Sequence, residues 1–145
     1  MLLRYGKDIL ESTYFSAAEH QVHHLFSTVA SHSVNTALLC LLFVRLLKPF
    51  RIRLNLSVLI AAALAHDLGM IDRRQKYTSD SESYRIHPDA SVQILKLIRP
   101  DADQKTCEAI AVHMYPVTTR KPVSKEAWAL CIADKLAACA DWFIH

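Results

Sequence analysis

The chain has 145 residues, of which 52% are hydrophobic, and a formal net charge of +3. This length fits a single domain spanning residues 1–145. The chain contains only two glycines, Gly6 and Gly69, which excludes a glycine-rich phosphate loop and argues against a β-rich fold with many tight turns. The mild positive charge is not concentrated in a block of Lys and Arg, so no specific nucleic-acid binding is indicated.

Composition also indicates a cytoplasmic location without membrane association. The N-terminal sequence MLLRYGKDILES carries too many charges for a signal peptide. The longest apolar stretch runs from Val34 to Val44 and ends at Arg45, which is too short to span a bilayer. The four cysteines form no CxxC pair and lie in apolar runs, as is typical of small buried side chains in a reducing compartment.

The N-terminal half of the chain predicts three helices. Residues 1–12 form a short one, and a long apolar helix covers about 28–47. The third helix has the sequence LSVLIAAALAHDLG, with Asn55 or Ser57 as its N-cap. It is apolar on all sides, which predicts a buried, central position. Gly69 stands where a helix C-cap would place it.

The C-terminal half predicts a loop and three more helices. The polar segment 71–84 is interpreted as the loop, and Pro88 as the first turn of the helix that follows. Another helix begins at Asp101 or Asp103, and Ser124 opens the last one. About five or six helices and no strand predict an all-α fold, a single-domain helical bundle.

Three of these helices carry metal-ligand residue types inside apolar runs. His32 lies in the second helix, His66 and Asp67 end the third, and Asp134 interrupts the last. A buried carboxylate costs several kcal/mol unless it is paired or coordinated, and Lys135 points about a quarter-turn away from Asp134. One divalent cation satisfies all four residues, and these donors suit Zn, Mn, Fe or Ni. For each residue alone, a structural hydrogen bond or ion pair remains an alternative.

The three motifs around these residues are ASHSVNTA, ALAHDLG and CIADKLAA. In this order they resemble the H…HD…D signature of the HD superfamily of metal-dependent phosphohydrolases. The resemblance runs from about His24 to Ala140. It implies a bundle of helices around a metal site with four ligands: His32, His66, Asp67 and Asp134.

Two further histidines lie between the HD pair and the last aspartate, His87 in RIHPDASVQIL and His113 in IAVHMYP. Their order is similar to the H…HD…H…H…D pattern of two-metal HD proteins, which include cyclic-dinucleotide phosphodiesterases and di-iron oxygenases. The resemblance implies that Asp67 bridges two ions and that His87 and His113 complete the second site. The cofactor is then one or two divalent transition-metal ions: Mn, Fe, Ni or Zn. A surface position for His87 and a helix-capping role for His113 remain alternatives.

The chain also departs from the cyclic-dinucleotide group. That group has a lysine where this chain has Met70, and a second histidine where it has Met114. The GYP motif of that group is absent as well. These differences argue against cyclic-dinucleotide hydrolysis and leave a resemblance to small stand-alone HD hydrolases.

Basic side chains near the predicted ligands are candidates for binding a phosphate. Lys135 follows a ligand, and Arg73 and Arg74 follow the HD helix. His24, together with His23, precedes the first ligand and could line the mouth of a pocket. A solvent-exposed position for Lys135 and a surface turn for His24 are alternatives of equal weight.

The resemblance implies hydrolysis of a phosphoester, in a nucleotide or another small phosphorylated metabolite, by metal-activated water. Asp67 and Lys135 are the expected catalytic residues. Two alternatives remain open, a di-iron oxygenase of the same superfamily and a non-enzymatic metal-binding regulatory module. A homo-oligomer is compatible with the sequence.

Overall fold

The computed structural model describes residues 1–24 and 26–143. These residues form a helical bundle with one small antiparallel sheet and two 3₁₀ segments, Lys48–Phe50 and Leu68–Met70. The strands are β1 (Val22–His24) and β2 (Ser27–Thr28). The helices of the described part are α1 (Leu2–Leu10), α2 (Thr13–Ala18), α3 (Val29–Leu47), α4 (Leu56–Ala65), α5 (Arg73–Lys76), α6 (Asp80–Ile98), α7 (Gln104–Val112) and α8 (Lys125–Phe143). The all-α fold class is confirmed.

Helix α4 lies at the centre of the bundle. Every residue from Val58 to Ala65 is buried, and α1, α3, α7 and α8 pack around it. Its alanines let the neighbouring helices approach closely, while Leu59 and Leu64 fill the core. Asn55 is the N-cap, since its side chain accepts a hydrogen bond from the Val58 amide at 3.2 Å. The central helix predicted from apolar character is therefore confirmed.

Helix α3 begins with a capping box in which Thr28 and Ser31 each accept the other's backbone amide. Together with the following 3₁₀ segment it is long and apolar enough, by length and composition alone, to cross a membrane. The shorter stretch 34–44 was therefore a wrong basis for excluding a span. The helix packs against α4 and α8 and buries His32 and Thr36, as the core helix of a bundle does.

The helix carrying His87 begins earlier than predicted. Ser79 caps α6 by accepting a hydrogen bond from Glu82 N at 3.1 Å, and acidic side chains in the first turn favour this start. Pro88 lies inside the helix rather than in its first turn. The segment 71–84 is thus not one loop, because it contains α5 and the start of α6.

Gly69 is not a helix C-cap. It lies in the 3₁₀ segment without a positive φ angle, directly against α6. A Cβ atom at this position would lie 2.4 Å from the carbonyl oxygen of His87 and 2.9 Å from both Ala90 Cβ and Ser91 N. Glycine is therefore required here by the close approach of α6, with the Gly69 amide donating to Ser91 Oγ at 2.9 Å.

The remaining differences concern short elements and one cysteine. The strands and helix α2 come from the segment 13–28, where no strand was predicted. At the other end, Asp103 accepts from Lys105 N at 2.7 Å and Ser124 accepts from Ala127 N at 3.0 Å, so both cap helices as expected. Cys139 is exposed on α8, although its sequence predicts burial, whereas the other three cysteines are buried.

Candidate metal centre

Four fully buried histidines direct their Nε2 atoms at Asp67 from four different helical segments. Three of them are oriented by the backbone of their own helix, because each Nδ1 lies within hydrogen-bond distance of a carbonyl oxygen three or four residues earlier. A carbonyl only accepts, so each Nδ1 carries a proton, and Nε2 is the nitrogen left for binding a metal ion. The pairs are His66 with Ala63 at 2.7 Å, His87 with Ser83 at 2.8 Å and His113 with Ile110 at 2.6 Å.

The ends of α4 and α7 explain two of these positions. His66 and His113 are the C-cap residues of their helices, where the last carbonyl oxygens lack intrahelical amide partners. The imidazole of each residue folds back on such a carbonyl and turns its Nε2 inward. Asp67 follows His66 directly and is only 3% exposed.

The first ligand group consists of His32, His66, Asp67 and Asp134. One ligand atom from each lies within 4.8 Å of all the others, and all four residues are buried. His32 Nε2 lies 2.9 Å from Asp134 Oδ1, and His66 Nε2 lies 3.3 Å from Asp67 Oδ2 and 3.4 Å from Asp134 Oδ1. Among the described residues His66 Nε2 has no hydrogen-bond partner, although it is buried and faces two carboxylates. A cation between these three groups would be bound by all of them.

The second ligand group consists of Asp67, His87 and His113, which are also buried. The two Nε2 atoms lie 3.2 Å and 3.3 Å from Asp67 Oδ1, and 3.1 Å from each other. Because both Nδ1 atoms donate to the backbone, the two Nε2 atoms are the ring nitrogens left to bind a metal ion at this point. The donor set therefore fits a cation, and Asp67 offers one oxygen to each group.

The charges of the first group shift the pKa values of its members. Burial alone lowers the pKa of His66, but Asp67 and Asp134 outweigh this effect and raise it to about 10. In the same way, hydrogen bonding to Asp134 and the charge of Asp67 hold the pKa of His32 above its ordinary value despite burial. The histidines in turn hold the pKa values of both aspartates well below the usual range, although burial acts in the opposite direction.

The second group lacks this effect. Burial lowers the pKa of His113, and the single carboxylate of Asp67 does not compensate for it. His113 is therefore neutral at pH 7 in the metal-free protein. A neutral imidazole is the form that binds a metal, so this histidine is ready to coordinate.

A cavity of about 170 Å³ opens beside both groups. Its lining includes Asp67, His87 and Asp134 from the ligand groups, together with His23, His24 and Lys135. The His23 Nε2 atom lies 2.5 Å from Asp67 Oδ2, so this histidine, which the sequence placed only at a pocket mouth, contacts the centre directly. Burial, followed by the charge of neighbouring His23, lowers the pKa of His24 to about 4.

Lys135 extends from α8 and lines the cavity. Its ammonium group donates to the carbonyl oxygen of His113 at 2.5 Å and lies 3.3 Å from Asp134 Oδ2. The expectation that Lys135 points away from Asp134 is therefore wrong, since the flexible chain offsets the angular separation on the helix. The Lys135 side chain is half-exposed and lies at the edge of the cavity.

The structure separates Arg73 and Arg74 from this cavity. They line a different one of about 360 Å³ with Tyr77 and Ser83. A larger space of about 430 Å³ instead adjoins the metal cavity, because Tyr84 and Val117 line both. Its basic residues, Arg85 and Arg120, lie outside the predicted set. Arg85 was not singled out, since α6 was expected to begin only after it.

Asp141 is a further residue that sequence reasoning missed. It is buried on α8, 2.9 Å from His32 Nδ1. The only sequence signal was its spacing of seven residues after Asp134, which places both acids on one face of a helix.

One comparison with known proteins, the match to a family model, agrees with this arrangement. No curated protein and no solved structure matches the chain. One family model, described as HD domain, matches residues 29–139. This range is most of the chain and contains all six residues of the two ligand groups. The chain therefore belongs to the HD domain family, whose members are generally hydrolases that bind divalent metals.

Proposed function

We propose that this protein is a metal-dependent phosphohydrolase that cleaves a phosphoester in a nucleotide or another small phosphorylated metabolite. The observation that carries the proposal is the position of Asp67. Its two oxygens serve two groups of buried ligands beside a cavity that also contains the cation of Lys135. This arrangement suits a substrate with concentrated negative charge.

The proposed cofactor is a pair of divalent ions, one held by each ligand group. Manganese, iron, nickel and zinc all suit the imidazole and carboxylate donors. Bound there, such ions supply an activated water molecule and charge stabilisation at phosphoryl oxygens. Asp67 belongs to both groups, so we assign it the central role in holding the two ions.

Lys135 supplies a fixed positive charge at the cavity. The contacts with the His113 carbonyl and with Asp134 restrict its ammonium group, which reduces the entropy lost when it binds an anion. We assign Lys135 to binding a phosphoryl oxygen of the substrate. His24 lies on the cavity wall, where a neutral imidazole is available for hydrogen bonding.

The rest of the substrate needs more room than the metal cavity offers. About 170 Å³ holds a phosphoryl group and little else. We place the remainder in the adjoining space, between Tyr84 and Val117, toward Arg85 and Arg120. Further phosphates or a nucleobase would meet two guanidinium groups and an aromatic ring there. Because they line a separate cavity, Arg73 and Arg74 become secondary candidates.

The test is hydrolysis by protein stripped of metal and reloaded with Mn²⁺, Fe²⁺, Ni²⁺ or Zn²⁺. We expect product release from at least one class among phosphomonoesters, phosphodiesters and nucleotides, and none from the stripped protein. Asp67→Asn should abolish it, while Asp101→Asn, an exposed position outside the centre, should not. Inactivity of the loaded protein toward all three classes would contradict the proposal, and oxygen consumption by the iron form would favour the oxygenase.

The proposal includes a cytoplasmic location without membrane association. Three of the four cysteines are buried, and no disulfide joins cysteines in the described residues, which suits a reducing compartment. Fractionation of cells that express the protein would test this part, with recovery in the membrane fraction as the contrary result.

A further inference from the structure

His32 is oriented differently from the other three histidines of the centre. His66, His87 and His113 each use a backbone carbonyl of their own helix. His32 lies within the long helix α3. Its Nδ1 atom contacts an acceptor from elsewhere in the fold instead of a carbonyl of its own helix.

Asp141 provides that acceptor from α8. Its Oδ2 atom lies 2.9 Å from His32 Nδ1 and also accepts the Ser27 hydroxyl at 3.2 Å. Asp141 is only 5% exposed. The two nitrogens of His32 are thus held by two carboxylates of the same helix, since Asp134 lies 2.9 Å from Nε2.

We infer that Asp141 is a positioning residue that orients His32 and strengthens it as a ligand of the first group. A carboxylate that accepts the Nδ1 proton fixes the tautomer with a free Nε2, holds the ring plane and increases electron density on the donor atom. A neutral backbone carbonyl also fixes the tautomer and the ring plane, but it increases the electron density on the donor atom less. The first ligand group therefore binds its ion more tightly than the second group does. This inference rests on the metal centre of the proposed function.

Asp141 and Ser27 both lie outside the residues 29–139 that match the family model. The contact also links two regions, because Ser27 belongs to β2 and Asp141 to the last turns of α8. His23 and His24, which line the cavity, lie on the paired strand β1. Asp141 therefore holds His32 and the strand pair in one hydrogen-bonded unit.

A different use of these residues is a third ion between His24, His32 and Asp141, whose ligand atoms also lie within 4.8 Å of one another. It would require His32 to bind metals through both nitrogens, which needs a fully deprotonated ring. The 2.9 Å contact from His32 Nδ1 to Asp141 is instead the length of a charge-assisted hydrogen bond. We therefore favour positioning, and the metal count distinguishes the two.

The experiment is a titration of metal-free protein with Co²⁺, followed by its visible spectrum and by competition with a chelator. The variant His87→Ala with His113→Ala identifies the signal of the first group. Asp141→Asn keeps the shape and an acceptor oxygen but removes the charge. We expect it to weaken Co²⁺ binding in the first group by about 10–100-fold, leaving the second group unchanged. Ser27→Ala, which removes only the hydroxyl tether, should have a much smaller effect.

A second measurement does not depend on the folding of a variant. In wild-type protein loaded with Zn²⁺, the Nδ1 proton of His32 should resonate further downfield than those of His66, His87 and His113, because its acceptor is charged. Wild-type affinity in Asp141→Asn, equal weakening of both groups, loss of a third Co²⁺ equivalent or an ordinary proton shift would each overturn the inference. If wild-type protein binds no Co²⁺ at all, both the inference and the proposed function fail. If it binds Co²⁺ and only Asp141→Asn behaves as wild type, the proposed function stands.

Discussion

The two ligand groups that meet at Asp67 differ in charge. The first contains two carboxylates, which raise the pKa values of His66 and His32. The second shares one carboxylate between two histidines, and the pKa of His113 is lowered. Without metal, the first group therefore stores protons where its ion would lie, whereas His113 in the second group is neutral.

This difference shows two ways in which a fold can keep a buried metal site in the absence of metal. In the first group a proton replaces the cation, so binding an ion must release protons and becomes pH-dependent. In the second group His113 is neutral, and backbone hydrogen bonds from both Nδ1 atoms, together with packing, hold the Nε2 atoms of His87 and His113 3.1 Å apart. We expect the first group to be more tolerant of metal loss and the second to be more sensitive to changes in packing.

The largest expected effect is the loss of one ion. Replacing His87 and His113 together by alanine removes both imidazoles of the second group and leaves the first complete. Metal content of the purified protein, measured by elemental mass spectrometry, should fall from about two equivalents to about one. His20→Ala, at an exposed position, is the control. An unchanged metal content in the double variant would remove the second group from the proposed centre.

The next effect tests the packing behind His87. Gly69→Ala would bring a Cβ atom within 2.4 Å of the His87 carbonyl oxygen, so α6 must move. We expect a loss of about 1–3 kcal/mol in the free energy of unfolding, measured by chemical denaturation, and weaker binding in the second group. Gly6→Ala is the matched control, because its close contact at 2.3 Å is with the end of the flexible Leu64 side chain. Equal losses in the free energy of unfolding of both variants would argue against a specific requirement for glycine at position 69.

Sequence patterns predicted the parts of this molecule that depend on local chemistry. The apolar run of α4 and the cap Ser124 follow from residue preferences alone, and for Asn55 and Asp103 these preferences left one other candidate each. Four ligand positions, His32, His66, Asp67 and Asp134, stood out because acids and imidazoles interrupt apolar helices, whereas His87 and His113 followed only from the family resemblance. The structure brings all six together.

The features that the sequence did not reveal depend on tertiary contacts. Gly69 resembles a helix C-cap in sequence, but the close approach of α6 determines its conformation. Pro88 favours a helix start, yet Ser79 and the acidic residues after it place the start eight residues earlier than Pro88 would. Asp141 became meaningful only when α8 packed against α3 and placed it beside His32.

The third prediction concerns pH and separates the two groups. The pKa of His66 is about 10 in the folded protein against an ordinary value of 6.5, and a raised pKa contributes stability that is complete below pH 6.5. Without metal, the free energy of unfolding should therefore fall as the pH rises from 6.5 through about 10. Protein loaded with metal should not show this decrease, because coordinated His66 is already deprotonated. Chemical denaturation at several pH values, with and without chelator, measures the free energy of unfolding of both forms. If it depends on pH in the same way with and without metal, the first group does not hold a proton in place of its ion.

The smallest expected effect lies far from both groups, at the end of α6. Arg99 donates to both carboxylate oxygens of Asp8, at 2.8 Å and 2.6 Å, and ties this helix to α1. Its hydrogen bonds lower the pKa of Asp8 below 3.8, so the pair contributes stability above that pH and loses it as the pH falls through the lowered value. Both side chains are partly exposed, which limits the cost of Arg99→Ala to about 1 kcal/mol or less.

Arg99→Ala also tests whether metal binding in the second group depends on the contact between α6 and α1. His87 lies three helical turns before Arg99, and Gly69 packs directly behind it. We therefore expect thermal denaturation to shift slightly while metal content stays unchanged. If the variant loses metal from the second group, then the far end of α6, and not the contact at Gly69, determines the position of His87. In that case Gly69→Ala and Arg99→Ala would weaken binding to similar extents, and the local packing argument for the second group would fail.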